Sequence, residues 1–380
     1  HDGTQLAPLT MHCQTDAQRP IAERRSAVNE QFGSDHQRFR ELIAQIGSGE
    51  RTSTGLNRAE AAEAMERMLL GQASDAQMGA FLIAHRLRRP SAEELAGMLD
   101  AYQRRGPQLP GNSRAVVSFG APFDGRTRTA PLLPLTALVL AAAGLGVVLH
   151  GSDPMPVKYG ATNGELLGVL GLPLQALDWP GQQQLFERHG LALMHQRLHF
   201  PAAETLVPIR QQIGKRPPIA TLEMLWSCHP SPDLTVSGFV HAPTESLAGE
   251  AWTLRGQRQA LTVKGLEGGV DLPTSRVAVA AHWRDGVAER LLLHARDHGL
   301  QAPEPELGCL GDWQGRALSA LRGEGPLATG LIWNAGFYLW RCNRCPSLET
   351  GLREAEGLIQ SGAAEARRAE LAKELAGAAD

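Results

Sequence analysis

No stretch of this sequence approaches the roughly 18 consecutive apolar residues that a membrane-crossing helix needs, so no membrane role is expected. Cysteine is scarce, with five residues at positions 13, 228, 309, 342 and 345. An odd and sparse set is not a disulfide framework; it points to a reducing, cytoplasmic setting. The one CxxC, Cys342 to Cys345, has no second pair and no histidine at finger spacing. It reads as a pair of helix-end cysteines rather than half of a zinc or redox site. No sign of charge dominates: the formal net charge is −3, so any polyanion site must come from local clustering. No basic region followed by an apolar core opens the chain, and no secretory signal is expected. Repeats and low-complexity tracts are also missing.

The chain does have enough apolar material, 43% of 380 residues, to build a sizeable core without staples. Residues 1–35 are polar and without period, and read as a flexible tail. Residues 36–105 read as a small all-helical domain. There Asn57, Ser74 and Ser91 stand where N-caps belong, and Met65, Met68, Leu69, Phe81 and Leu82 recur at helical spacing. The Pro- and Gly-rich "RRGPQLPGNS" follows as a linker. From residue 106 to 380 the pattern changes to α/β. Strands are predicted at "RAVVSFG", "GVVLHG", "LALMHQ", "LTVSGFV", "QALTVKG" and "RVAVAAHW", with helices between them. That alternation predicts a large α/β domain with a mainly parallel sheet, and C-terminal helices close the chain.

Two loops carry the candidate chemistry. "GAPFDGRTRT", residues 120–129, joins a strand to an apolar helix, a common place to hold phosphate. Pro122 removes an N–H donor and Phe123 crowds the turn, while Arg126 and Arg128 add side-chain donors. An ordinary connecting loop with solvated arginines fits the spacing as well. "LHGSDPMPVKYGATNGE", residues 149–165, places His150 at a strand end and Lys158 beside Gly160. Lysine among glycines suits phosphate binding. A histidine at a strand end is more often structural than ligand-binding.

In order, the helical segment with "SDAQMGAFLIAHRL", the strand–Asp-Gly–helix unit and "HGSDPMPVKYG" resemble the anthranilate phosphoribosyltransferase family of glycosyltransferases, over roughly residues 38–378. The family's GTGGDG loop falls on Gly120 to Gly125, of which Gly120, Asp124 and Gly125 match. Its NxST segment falls on the apolar Ala130 to Leu133. Its KHGN falls on Leu149 to Ser152, keeping His150 and Gly151. Its SSKSG falls on Pro156 to Gly160, keeping Lys158 and Gly160. Its Arg-x-x-Leu-Gly-x-Arg matches Arg210 to Arg216 well. Its acidic pair falls on Val270 and Asp271, keeping one acid, with Glu267 nearby.

The resemblance implies a pentosyl- or phosphoribosyltransferase with a cleft between its two domains, and the departures from the family's motifs imply a remodelled donor site, its acceptor unknown. Gly120, Asp124, Gly125, Arg126, Arg128, Lys158 and Gly160 would meet the phosphorylated donor. His150 and Arg210 would face the acceptor, and Asp271 with Glu267 would hold Mg²⁺. A homodimer through the helical domain is expected, since its apolar helices have little chain of their own to cover them. A second reading is a non-catalytic paralogue that binds nucleic acid or another polyanion along a basic cleft.

Overall fold

A computed structural model describes residues 21–49, 52–111 and 113–377, with side chains from residue 33 onward. The first twenty positions of the expected tail, Cys13 among them, lie outside the described residues. The tail does not extend to residue 35: α1 (Ile21–Gly47) already begins at Ile21, with a break in its helical backbone at Gly33. Three further helices complete the bundle: α2 (Arg58–Leu69), α3 (Asp75–Arg88) and α4 (Ala92–Arg105). Each has the expected cap. Asn57, Ser74 and Ser91 accept from the backbone N–H three residues on, and Glu60, Gln77 and Glu94 return the bond. Reciprocal capping satisfies two end donors per helix and fixes where each starts.

Past the linker come β1 (Val116–Gly120), α5 (Leu133–Ala142), β2 (Gly146–Gly151), α6 (Asn163–Val169), α7 (Trp179–His189) and β3 (Leu191–His195). Short helices α8 (Gln196–His199), α9 (Pro201–Glu204), α10 (Val207–Ile213) and α11 (Ile219–Leu225) follow. The sheet resumes with β4 (Leu234–Gly238), α12 (Ala242–Leu254), β5 (Gln259–Val263), β6 (Ala278–Arg284) and β7 (Val287–Leu293). Four helices close the chain: α13 (Leu310–Ala320), α14 (Ala328–Arg341), α15 (Leu348–Gln360) and α16 (Ala363–Gly377).

The strand order is β3-β2-β1-β4-β5-β6-β7. Pairs from β3 through β5 are parallel, and β6 and β7 are antiparallel additions. The sequence reading missed β7. Most of its residues are exposed, so it lacks the apolar run that marked the other strands. The order reverses between β1 and β4, and the crevice beyond their carboxyl ends is where an open α/β sheet admits ligands.

The two faces of the sheet are covered differently. One packs on α5, α14, α15 and α16. The other shares a continuous core with the helical bundle: Phe81, Leu99 and Tyr102 join Val148, Met194, Trp226 and Trp252 in one apolar cluster. The bundle is therefore not a separate core with a bare apolar face. Most of its stripe is covered by the rest of the chain, with Leu70 and Leu87 left exposed, so burial alone does not require a dimer. The predicted C-terminal surface helices are also partly interior, with Leu352, Ile359 and Leu371 buried.

Gly120 matches the resembled phosphate loop, but its work is packing. A Cβ there would stand 1.7 Å from the Met224 carbonyl oxygen on α11. Gly120→Ala is expected to cost about 3 kcal/mol or more, because backbone rather than a flexible side chain would have to move. A urea midpoint unchanged from wild type would contradict this.

Candidate functional site

The loop after β1 folds against the loop before α6. Gly125 N–H donates to the Pro122 carbonyl at 3.1 Å, closing a turn in which Gly125 takes φ 75°. Arg126 and Ala161 exchange backbone hydrogen bonds of 3.0 and 2.8 Å, and Gly160 N–H reaches the Asp124 carbonyl at 2.9 Å. A Cβ on Gly125 would meet the Gly160 carbonyl oxygen at 2.4 Å, so these glycines lock the two loops together. Phe123 does not crowd a ligand: it is buried in the core shared with the bundle.

This pairing brings Asp124 and Lys158 together. Asp124 is fully buried, and among the described residues no group hydrogen-bonds either carboxylate oxygen. Three cations surround it just beyond hydrogen-bond range. Lys158 Nζ and Arg216 Nη2 stand 3.9 and 3.8 Å from Oδ1, and Arg210 Nη2 stands 3.5 Å from Oδ2. Burial lowers the Lys158 pKa, against the pull of Asp124. Arg210 Nη1 binds both oxygens of Glu223, at 3.0 and 3.1 Å, while its Nε and Nη2 have no hydrogen-bond acceptor among the described residues. Burial raises the Glu223 pKa, opposed by Arg210. The sequence reading did not include Glu223. Its signal was a lone acid in the otherwise apolar "IATLEML" of α11.

Three of the sequence-predicted roles need correction. His150 faces no acceptor: it is wholly buried, with Nδ1 on the Phe119 carbonyl and Nε2 accepting from Cys228 N–H, each at 3.1 Å. Burial lowers its pKa to about 4, so it stays a neutral structural ring. Arg210 is 1% exposed and committed to Glu223, so it forms the floor of the site rather than an open clamp. Arg126 is not free to meet phosphate: it is 6% exposed and lies between Glu267 and Asp271. Its Nη1 donates to Asp271 Oδ2 at 2.8 Å and its Nε to Glu267 Oε1 at 3.3 Å. Arg128, by contrast, projects outward with its side chain 79% exposed.

The same pairing decides the metal question. Glu267 accepts from the backbone N–H groups of Thr127, Arg128 and Thr129 at 3.1, 3.1 and 2.8 Å. Burial acts to raise its pKa, but the Thr129 and Thr127 N–H groups and Arg126 outweigh it and hold the carboxyl at about 2. Asp271 Oδ2 also accepts from Leu132 N–H, at 2.9 Å, at the start of α5. A Mg²⁺ ion needs carboxylate oxygens free for a tight octahedral shell. Here both Glu267 oxygens and Asp271 Oδ2 already accept from N–H groups, and a guanidinium lies between the two acids. The residues present do not fit the ion.

Beside this cluster a cleft of about 470 Å³ opens between the bundle and the carboxyl end of β4. Arg86, Arg89 and Arg216 supply charge, and Met224, Phe239 and His241 form part of the wall. Cys342 and Cys345 lie elsewhere, at the end of α14. Burial pushes the Cys342 thiol up to about 12, and Cys345 packs in the core. Among the described residues no helix is long and apolar enough to cross a membrane.

A helical bundle packed against a mainly parallel sheet, with charged loops at the strand-order reversal, defines a two-part α/β architecture. Residues 40–106 match the helical bundle domain of a glycosyl transferase family, and residues 131–365 match that family's a/b domain. The chain belongs to this glycosyl transferase family. It is similar to the anthranilate phosphoribosyltransferase of Azorhizobium caulinodans, 29% identical over 344 residues, covering 89% of this chain and 96% of that protein. An uncharacterized protein of Aquifex aeolicus is 26% identical over 306 residues, covering 79% of this chain and 92% of its own. Anthranilate phosphoribosyltransferase from Thermus thermophilus has the same fold, with a TM-score of 0.74 at 24% identity over 88% of this chain and 98% of that one. So does the Saccharomyces cerevisiae enzyme in complex with PRPP and Mg, with a TM-score of 0.73 at 14% identity over 91% and 99% of the chains. The architecture expected from the sequence, a small helical part and a larger α/β part, is the one found.

Proposed function

We propose that this chain is a phosphoribosyl- or pentosyltransferase-like protein that binds a phosphorylated pentose through side chains, without a divalent cation. The observation that carries this reading is the Asp124 cluster. It gathers Lys158, Arg210 and Arg216 around a carboxylate with two unclaimed oxygens. Carboxylate oxygens accept from hydroxyls, and guanidinium and ammonium groups donate to phosphate. A polyhydroxylated phosphate offers both. Lys158 and Arg216, with side chains 27% and 29% exposed, are the groups a ligand reaches first. The relatives' phosphoribosyl chemistry suggests the ligand class, and the yeast complex holds both PRPP and Mg; leaving the metal out rests on the Arg126 geometry of this chain alone.

Anthranilate itself is a poor candidate for the acceptor. Arg210 is held by Glu223, and the leaving pyrophosphate would lack the dication that neutralises it. With excess donor and Mg²⁺, loss of anthranilate fluorescence should show turnover well below the ordinary enzymatic scale of about 1 s⁻¹ or more. Turnover at or above that rate would contradict the reading.

Arg86, Arg89 and Arg216 along one open cleft favour polyanion binding as the second reading. A single-stranded oligonucleotide binding more tightly than phosphoribosyl pyrophosphate would favour it. The affinity would then fall steeply with salt, with each phosphate contact adding roughly 0.7 to the slope.

A further inference from the structure

We propose that Glu267 is an intramolecular anion stop: its carboxylate fills an N–H cradle at residues 127–129, and a phosphate-bearing ligand enters that cradle by displacing it. Six donor atoms converge on the two Glu267 oxygens. They are the three backbone N–H groups, the Thr127 and Thr129 hydroxyls at 3.2 and 2.9 Å, and Arg126 Nε. Consecutive backbone N–H groups with hydroxyl and guanidinium donors are the surroundings that oxyanions such as phosphate take. Two carboxylate oxygens are few acceptors for six donors, and a phosphate offers more.

The anion is delivered by a short strap, Gly265-Leu266-Glu267-Gly268-Gly269, on which Glu267 adopts φ 55° and ψ 25°. A non-glycine residue is held in that left-handed conformation at a cost, and the carboxylate contacts offset it. The strap lies between two cavities. Gly268 lines the 470 Å³ cleft, while Arg126 and Thr127, the residues Glu267 binds, line a second cavity of about 360 Å³ beside Tyr159 and Gly308.

Lys158 connects the strap to the Asp124 cluster. Its Nζ donates to the Glu267 carbonyl at 3.4 Å and stands 3.9 Å from Asp124. A phosphate that draws Lys158 to itself loosens the strap and frees the cradle in the same movement. This coupling rests on the reading that Lys158 meets the ligand; the occupied cradle does not.

The test titrates inorganic pyrophosphate into the full chain by calorimetry in Mg²⁺-free buffer. Glu267→Ala should tighten binding about tenfold, since charge-assisted donors are released to the ligand. Glu267→Gln, which keeps the shape and removes the charge, should tighten it by a smaller factor. Unchanged or weaker affinity in a variant that melts cooperatively overturns the proposal. A second measurement uses the wild-type chain, in case neither variant folds. Pyrophosphate should speed amide hydrogen exchange across residues 265–269; unchanged or slower exchange overturns the proposal. Loss of binding in Lys158→Ala with no gain in Glu267→Ala would leave the ligand reading standing and remove the stop.

Discussion

Arg126→Ala is expected to destabilise the protein by about 3–5 kcal/mol, the range for breaking a buried ion pair from one side. The guanidinium lies between Glu267 and Asp271, whose side chains are 5% and 3% exposed. Without it, two buried carboxylates share a space with only the exposed Arg128, 3.8 Å from Glu267, as an ion-pair partner among the described residues. Arg126→Lys should lose less, because it keeps the charge and forfeits the fork that reaches both acids. The Glu267 carboxylate keeps five other donors in the alanine variant, and Asp271 keeps Leu132 N–H, so millimolar Mg²⁺ should restore little of the missing stability. Urea titration of both variants, with and without Mg²⁺, checks this. A wild-type midpoint for Arg126→Ala would contradict the assigned role.

The second large effect is on binding. Lys158→Ala combined with Arg216→Ala should weaken phosphoribosyl pyrophosphate affinity by about 100-fold or more. Each charge-assisted hydrogen bond to the ligand that is removed should cost roughly 1.5 kcal/mol. Both side chains face Asp124 Oδ1, so their effects should not add independently. Arg128→Ala serves as the comparison. Its side chain is 79% exposed and stands 3.8 Å from Glu267, so its removal should weaken affinity by a much smaller factor. Calorimetry on the two variants reads the contrast directly. Equal affinities would reduce the Asp124 cluster to a structural network.

The parts of this molecule legible in its sequence are those set by short-range pattern. The three bundle caps follow from Asn57, Ser74 and Ser91 with a partner three residues on. The parallel strands announced themselves as apolar runs because a doubly covered sheet buries both sides of each strand. β7 did not, because it is an edge strand with most residues in water. The start of α1 at Ile21 was hidden by the polar character of "IAERRSAVNE".

Which residues of the candidate site meet was more legible than what each of them faces. Asp124, Lys158 and Arg210 do come together, and family resemblance named them. What each faces depends on residues far away in the chain. Arg126 looked like a free phosphate fork until Glu267 and Asp271, 141 and 145 positions on, were placed against it. His150 looked available until Phe119 and Cys228 claimed both ring nitrogens. Long-range pairing of this kind leaves no local signature, because charged residues in loops read the same whether solvated or buried.

The proposed function has the chain hold a phosphorylated ligand with its own side chains, while Arg126 stands between the two acids where a metal would otherwise sit. The most direct measurement is the affinity of the wild-type chain for phosphoribosyl pyrophosphate, titrated calorimetrically with chelator and again with millimolar Mg²⁺. Binding is predicted in chelator, with the two affinities agreeing within about twofold, a difference of ~0.4 kcal/mol. Binding that appears only with Mg²⁺, or tightens about tenfold or more on its addition, would contradict it.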